Sequence, residues 1–224
     1  MFIPSIDLMG GKVVQLVQGE KKALEFDDLQ YWIDRFLAYP MVQLIDLDAA
    51  MGKGENTSLI HRICQHLPAQ VGGGIRTVDA AQRMLQAGAK KVIIGSALLK
   101  AGGVDMEMAA ALAHYAAPAR LIFAVDSRGG KVSIKGWKEG TSLTPEAMMQ
   151  QTGDYCSGYL YTHIDTEGTM QGFPMEVVPG LKAATARKLI VAGGIRSRAE
   201  VDQLDALGVD SVVGMAVYTG AMEA

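Results

Sequence analysis

Apolar and polar positions along this chain switch repeatedly between two periods. Phe2 to Leu8 is a short apolar run interrupted at Asp7, and Val13 to Val17 is a second, which predicts a strand, a turn and a small hairpin arm. The period then changes. Leu29, Trp32, Ile33, Phe36 and Leu37 recur at three and four residues behind Asp27 and Asp28, either of which can cap a helix. Met41 to Leu47 returns as a strand, Thr57 or Ser58 opens a helix through Leu67 that Pro68 closes, and Val71 ends the third strand. Thr77 caps a helix that puts Val78, Ala81, Met84 and Leu85 on one face and stops at Gly88. Lys91 to Ile94 is a fourth strand and Met106 to Tyr115 a fourth helix. The second half repeats the plan: Leu121 to Val125, a strand-like Val132 to Ile134, and a helix from Thr144-Pro145, with proline at its favoured first position. Tyr159 to Ile164, a short helix Met175 to Leu181, Leu189 to Ala192, a capping box at Ser197 and Glu200, Val209 to Val213 and a short last helix complete it.

Strands alternating with helices imply parallel strands joined by crossovers. The two halves also repeat each other. Ile6 to Val14 and Val125 to Ser133 agree at five of nine positions, 119 residues apart, and Val71 to Arg76 matches Val191 to Arg196 at five of six, 120 apart. Such a period favours a closed (β/α)8 barrel over an open doubly wound sheet. The expectation is one α/β domain over residues 1–224, a TIM barrel with a twofold internal repeat, its half-barrels covering about 1–118 and 119–224.

Composition narrows the function classes. Hydrophobic residues make up 49% of the chain, enough for a sizeable core, and no apolar stretch reaches membrane-span length. A net charge of −3 with scattered Lys and Arg argues against a nucleic-acid surface. Cys64 and Cys156 lack CxxC spacing and read as free thiols of a reducing cytoplasm; no secretory signal pattern opens the chain. His61, His66 and His114 fall in helices without metal-ligand spacing, whereas His163 adjoins Thr162 at a strand end; no metal site is expected.

Barrel chemistry sits at the C-terminal ends of the strands. Asp7 and Asp126 lie there on the first and fifth strands, opposite one another across the mouth, a pairing suited to general acid–base work. The alternative is that each only caps its Gly-Gly turn. Gly73-Gly74 with Gly95-Ser96, and Gly193-Gly194 with Gly214-Met215, form two glycine clusters at strands three/four and seven/eight. Backbone N–H groups there suit phosphate, so a small-molecule bisphosphate would span the mouth with its middle between the aspartates; tight strand-to-helix turns also require such glycines.

Ile3-Pro4-Ser5-Ile6-Asp7-Leu8, Gly11-Lys12-Val13-Val14, Leu16-Val17-Gln18-Gly19, Ile45 to Ala50, the Val71 to Arg76 block, Val125-Asp126 through Gly136-Trp137 and Gly168-Thr169-Met170-Gln171-Gly172 together resemble the phosphoribosylformimino-5-aminoimidazole carboxamide ribotide (ProFAR) isomerases of histidine biosynthesis. The resemblance covers essentially the whole chain. It implies an Amadori rearrangement of an aminoaldose to an aminoketose on a substrate with two phosphates, in the cytoplasm, by a monomer, without metal or organic cofactor, and without a nucleic-acid or membrane partner. It makes Asp7 the base that takes the C2 proton and Asp126 the acid that protonates the ribose ring oxygen. It also makes Thr162 a catalytic threonine, Trp137 part of a closing loop and Gly172 part of the binding surface. Three alternatives stay open: a bifunctional isomerase that also takes phosphoribosylanthranilate, a cyclase subunit of imidazole glycerol phosphate synthase bound to a glutaminase, and a non-catalytic phosphate-binding barrel. Against the cyclase, its opening has Cys-Leu-Asp-Val where this chain has Ser5-Ile6-Asp7-Leu8. Departures from the isomerase pattern are Gln15 for Arg, His163 for Asp or Glu, Glu167 for Asp, and a short Gly19 to Asp27 segment, expected to weaken closure and phosphate contacts.

Overall fold

The structure is a computed structural model that describes residues 1–100 and 103–223. Among these residues, eight parallel strands close into a ring: β1 (Phe2–Met9), β2 (Val42–Asp46), β3 (Ala69–Gly72), β4 (Lys91–Ile94), β5 (Leu121–Arg128), β6 (Gly158–His163), β7 (Lys188–Ala192) and β8 (Asp210–Val213). Each pairs with its neighbours in sequence, and β8 closes the ring on β1 through Phe2 opposite Ser211. The strands alternate with helices α1 (Leu29–Phe36), α2 (Thr57–His66), α3 (Val78–Gln86), α4 (Met106–Ala116), α5 (Pro145–Thr152), α6 (Val178–Ala184), α7 (Arg198–Ala206) and α8 (Met215–Tyr218). This is the (β/α)8 barrel that the alternating periods predict.

Strand alternation sorts the side chains into two cores. Ile3, Ile93, Ile122, Leu160, Ile190 and Val212 fill the barrel interior. Their neighbours of opposite parity, among them Ile6, Leu44, Val71, Phe123, Tyr159 and Val191, pack outward against the helices. That parity aims the upper inward positions, Asp7 on β1, Asp126 on β5 and Thr162 on β6, at the mouth.

Local sequence sets most helix starts. Asp28, Thr77, Asp105, Thr144 and Ser197 each accept a hydrogen bond from the backbone N–H three residues on, a cap worth about 1 kcal/mol. Helix α2 starts at Thr57, as expected; Asn56 before it makes no cap bond, because Asp46 and Asp48 hold its side chain. Two local expectations are corrected. The Met175 to Leu181 segment is a 3-10 turn (Met175–Val177) running into α6. Glu200 does not return to Ser197 N as a capping box requires; its Oε2 accepts from Arg196 N at 3.2 Å and Phe173 N at 3.4 Å, which ties the loop after β6 to α7.

A third correction concerns the arm. Gly19 to Asp27 is no loop: Lys21–Phe26 forms a strand that pairs antiparallel with Lys12–Val17, which itself folds back on β1. Gln18 and Gly19 make the turn with φ of 51° and 73°. Lys12 bridges Glu25 at 2.6 Å and Asp27 at 2.9 Å to brace the hairpin base. In the second half Lys131–Ile134 returns antiparallel to β5 and pairs with Glu139–Gly140, leaving Trp137 at the tip.

Candidate active site

Neither aspartate caps its Gly-Gly turn. Ser5 and Asp7, two apart and so on one face of β1, are joined by Ser5 Oγ donating to Asp7 Oδ1 at 2.9 Å. The turn amides have other acceptors: Gly10 N donates to Asp48 Oδ2 at 2.6 Å, and Gly129 N to Asp165 Oδ2 at 2.9 Å. Asp7 and Asp126 are therefore released from local turn chemistry and face the mouth.

Burial raises the Asp7 carboxyl to about 6 against the weaker opposing effect of the Ser5 hydroxyl. Burial likewise raises Asp126, opposed by hydrogen bonds from Trp137 and Thr162. Those partners converge because Thr162 sits opposite Asp126 in the β5–β6 register. A third carboxyl joins them. Glu167, half-buried on the loop after β6, is raised to about 8, first by burial and then by the negative charges of Asp7 and Asp126. Its side chain forms no salt bridge among the described residues, so nothing nearby offsets that repulsion. Tyr218, on α8, donates to Ser5 O at 2.9 Å, and burial and then Asp7 hold its hydroxyl well above the ordinary tyrosine range.

The glycine clusters ring the same mouth. Gly73 and Gly193 have φ of 99° and 117°, and a Cβ there would lie 2.2 Å from Asp46 O and 2.4 Å from His163 O. Close approach of one loop's backbone to the next thus demands these glycines whatever they bind. Gly74 lies likewise against Ala49, and Gly194 against Thr166. Gly172 N donates to Gly194 O at 3.0 Å, placing it on the β7 side. Gly95 leads into a 3-10 turn whose Ser96 Oγ accepts from Lys135 N at 3.1 Å, joining that cluster to the Trp137 loop. Gly214 and Met215 open the four-residue α8.

Gln15 is buried on the arm; its Nε2 donates to Val14 O, and a Cβ on Gly214 would lie 2.5 Å from its Oε1. The arm tip reaches over the mouth: Gln18 N donates to Glu167 O at 3.0 Å, and a Cβ on Gly19 would lie 2.7 Å from the Trp137 ring. Short as it is, the hairpin bridges to both other loops. His163 has outward parity, and Tyr161 Oη meets its Nδ1 at 2.9 Å, which keeps it out of the mouth. His61 and His66 bond to backbone carbonyls on the surface. No group of three or more potential metal ligands occurs among the described residues.

In the sequence Glu167 stands out only as a departure from the isomerase pattern, and Ser5, Tyr218 and the arm tip carry no assigned role. Ser5 had a signal, two residues before Asp7 on a strand. Glu167 had none, because the path of its loop depends on contacts with an arm from the opposite half of the chain, as the bond from Gln18 to Glu167 shows.

Residues 1–223 match the family described as histidine biosynthesis protein. The chain belongs to that family. Relatives match along nearly their full length. The 1-(5-phosphoribosyl)-5-((5-phosphoribosylamino)methylideneamino)imidazole-4-carboxamide isomerase of Thermus thermophilus is 36% identical over 225 residues, 97% of this chain and 94% of the relative. The isomerases of the same name from Methanocaldococcus jannaschii and Aquifex aeolicus are 34% and 33% identical, covering 100% and 97% of this chain and 95% and 93% of theirs. No described helix is long and apolar enough to cross a membrane.

Proposed function

We propose that this chain is a ProFAR isomerase, converting the aminoaldose to the phosphoribulosyl aminoketose in the barrel mouth. The observation that carries the reading is the set of part-buried carboxyls at the mouth, joined to near full-length similarity to enzymes bearing that isomerase name.

The reaction needs a proton delivered to the ribose ring oxygen, which opens the ring to a Schiff base, and a proton removed from C2, which gives the enolamine. Asp7, at about 6, is mostly ionised at neutral pH and acts as the base. The acid is the Asp126–Glu167 pair. Burial raises the Asp126 carboxyl against hydrogen bonds from Trp137 and Thr162, and Glu167, raised to about 8, holds a proton at neutral pH. Splitting base from acid by environment in this way lets both operate at one pH. The two phosphates are assigned to the backbone of Gly73, Gly74, Gly95 and Ser96 on one side, and of Gly172, Gly193, Gly194, Gly214 and Met215 on the other. Trp137 closes over the substrate between them. No step of this chemistry calls for a metal or organic cofactor.

The same carboxyls suit phosphoribosylanthranilate, the substrate of the bifunctional alternative. The cyclase and the non-catalytic barrel are disfavoured by the isomerase names of the relatives. We further assign the chain to the cytoplasm, as a single-domain monomer. The test is steady-state turnover of ProFAR with phosphoribosylanthranilate in parallel. Turnover of ProFAR supports the reading, turnover of both makes the enzyme bifunctional, and turnover of neither refutes it.

A further inference from the structure

We propose that Asp165 is a positioning residue that clips together the three loops over the mouth. The inference rests on the isomerase reading and adds to it a residue that does not touch the reacting atoms. Asp165 lies in the 3-10 turn Ile164–Thr166 directly after β6. Its Oδ2 accepts from Gly129 N at 2.9 Å, which holds the turn from which the Trp137 hairpin grows. Its backbone carbonyl accepts from Gln18 Nε2 at 2.9 Å, which holds the arm tip.

The segment that follows completes the junction. Glu167 O accepts from Gln18 N at 3.0 Å, and a Cβ on Gly168 would lie 2.3 Å from Leu16 O, so the backbones of loop and arm are in direct contact. Trp137 against Gly19 closes the triangle. The Asp165 carboxylate thus anchors the Trp137 hairpin to the loop whose backbone carbonyls hold the arm.

What distinguishes this clip is how weakly it is braced. The matched residue of the first half, Asp48, takes Gly10 N and is also fixed at 2.9 Å by Asn56 Nδ2. The Asp165 side chain is 44% exposed, and beyond Gly129 the nearest polar side chain recorded against it is the His163 ring, 3.7 Å away through Nε2. A braced clip holds one turn, and an exposed one holds the other.

The experiment compares wild type, Asp165→Ala and Asp165→Asn by amide hydrogen exchange and by steady-state kinetics on ProFAR. In Asp165→Ala, exchange of peptides spanning residues 129–138 and 18–19 is expected to quicken about tenfold, while residues 10–14 are unchanged. KM is expected to rise about tenfold with kcat within about twofold, since closure stabilises ground and transition states alike. The pH profile of kcat/KM should keep its shape because Asp7, Asp126 and Glu167 remain. Asp165→Asn, whose amide oxygen still accepts from Gly129, should stay within about threefold of wild type. Unchanged exchange in Asp165→Ala, an Asn variant as impaired as the Ala variant, or a displaced pH profile would each overturn the clip. The exchange measurement needs no turnover, so it tests the clip even if wild type fails on ProFAR and the isomerase reading falls.

Discussion

The two halves of the barrel make matched contacts with unequal firmness. In the first, Asp46, Asp48 and Asn56 form a closed network: Asn56 N and Nδ2 donate to Asp46 at 2.7 and 2.8 Å, and Asn56 Oδ1 accepts from Gly11 N at 3.2 Å. In the second, His163 stands where Asp46 stood and no amide replaces Asn56, so one carboxylate, Asp165, holds Gly129. The difference teaches where the molecule is rigid. The side carrying Asp7 is fixed by buried polar groups that satisfy one another. The side carrying Asp126, Glu167 and Trp137 is held by exposed contacts that cost little to break.

The largest test of this asymmetry is chemical. Asp7→Asn should leave the fold intact and cut ProFAR turnover by about 10²-fold or more, the usual worth of a positioned base. Asp126→Asn and Glu167→Gln should each reduce it, and the double variant should fall short of the product of the two if they share one proton. Independent multiplication would separate their roles.

Stability should divide the halves next. Asn56→Ala removes the side-chain amide that donates to both Asp46 and Asp48 and accepts from Gly11 N, and should cost about 2–3 kcal/mol in denaturant unfolding. Asp165→Ala, at an exposed position, should cost under about 1 kcal/mol. Equal losses would erase the contrast.

Glu167→Gln carries a second signature. A carboxyl raised from 4.5 to about 8 on folding binds its proton more tightly in the native state, so its contribution to stability is full below pH 4 and is lost as pH rises toward 8. Removing it should therefore stabilise the protein by about 1–2 kcal/mol at pH 8 and leave it unchanged at pH 4, at the expense of activity.

The smallest expected effect is on the profile itself. With Asp7 ionising at about 6 and Glu167 losing its proton at about 8, kcat/KM should be bell-shaped between those limits. Glu167→Gln should remove the upper limb only.

Much of this was legible in sequence because the signals were local. Two periods of hydrophobicity marked the strands and helices, and the 119-residue repeat drew Asp7 and Asp126 together without reference to the fold. What was hidden depends on tertiary contact. In Lys21–Phe26 only Leu24 and Phe26 are half-buried, so its alternation spans three residues, too few to mark a strand, and the strand is seen through its pairing with Lys12–Val17. Glu167 enters the mouth because the arm pins its backbone. The Asp48 and Asp165 clips lie 117 residues apart, off the period of the motifs, and so escaped the comparison that revealed the aspartates.

Steady-state turnover of ProFAR by wild type and Asp7→Asn, purified in parallel, tests isomerisation by the carboxyls of the mouth. Wild type should turn over, and the variant should lose about 10²-fold or more. Absence of turnover in wild type, or equal rates in the two proteins, would rule that mechanism out.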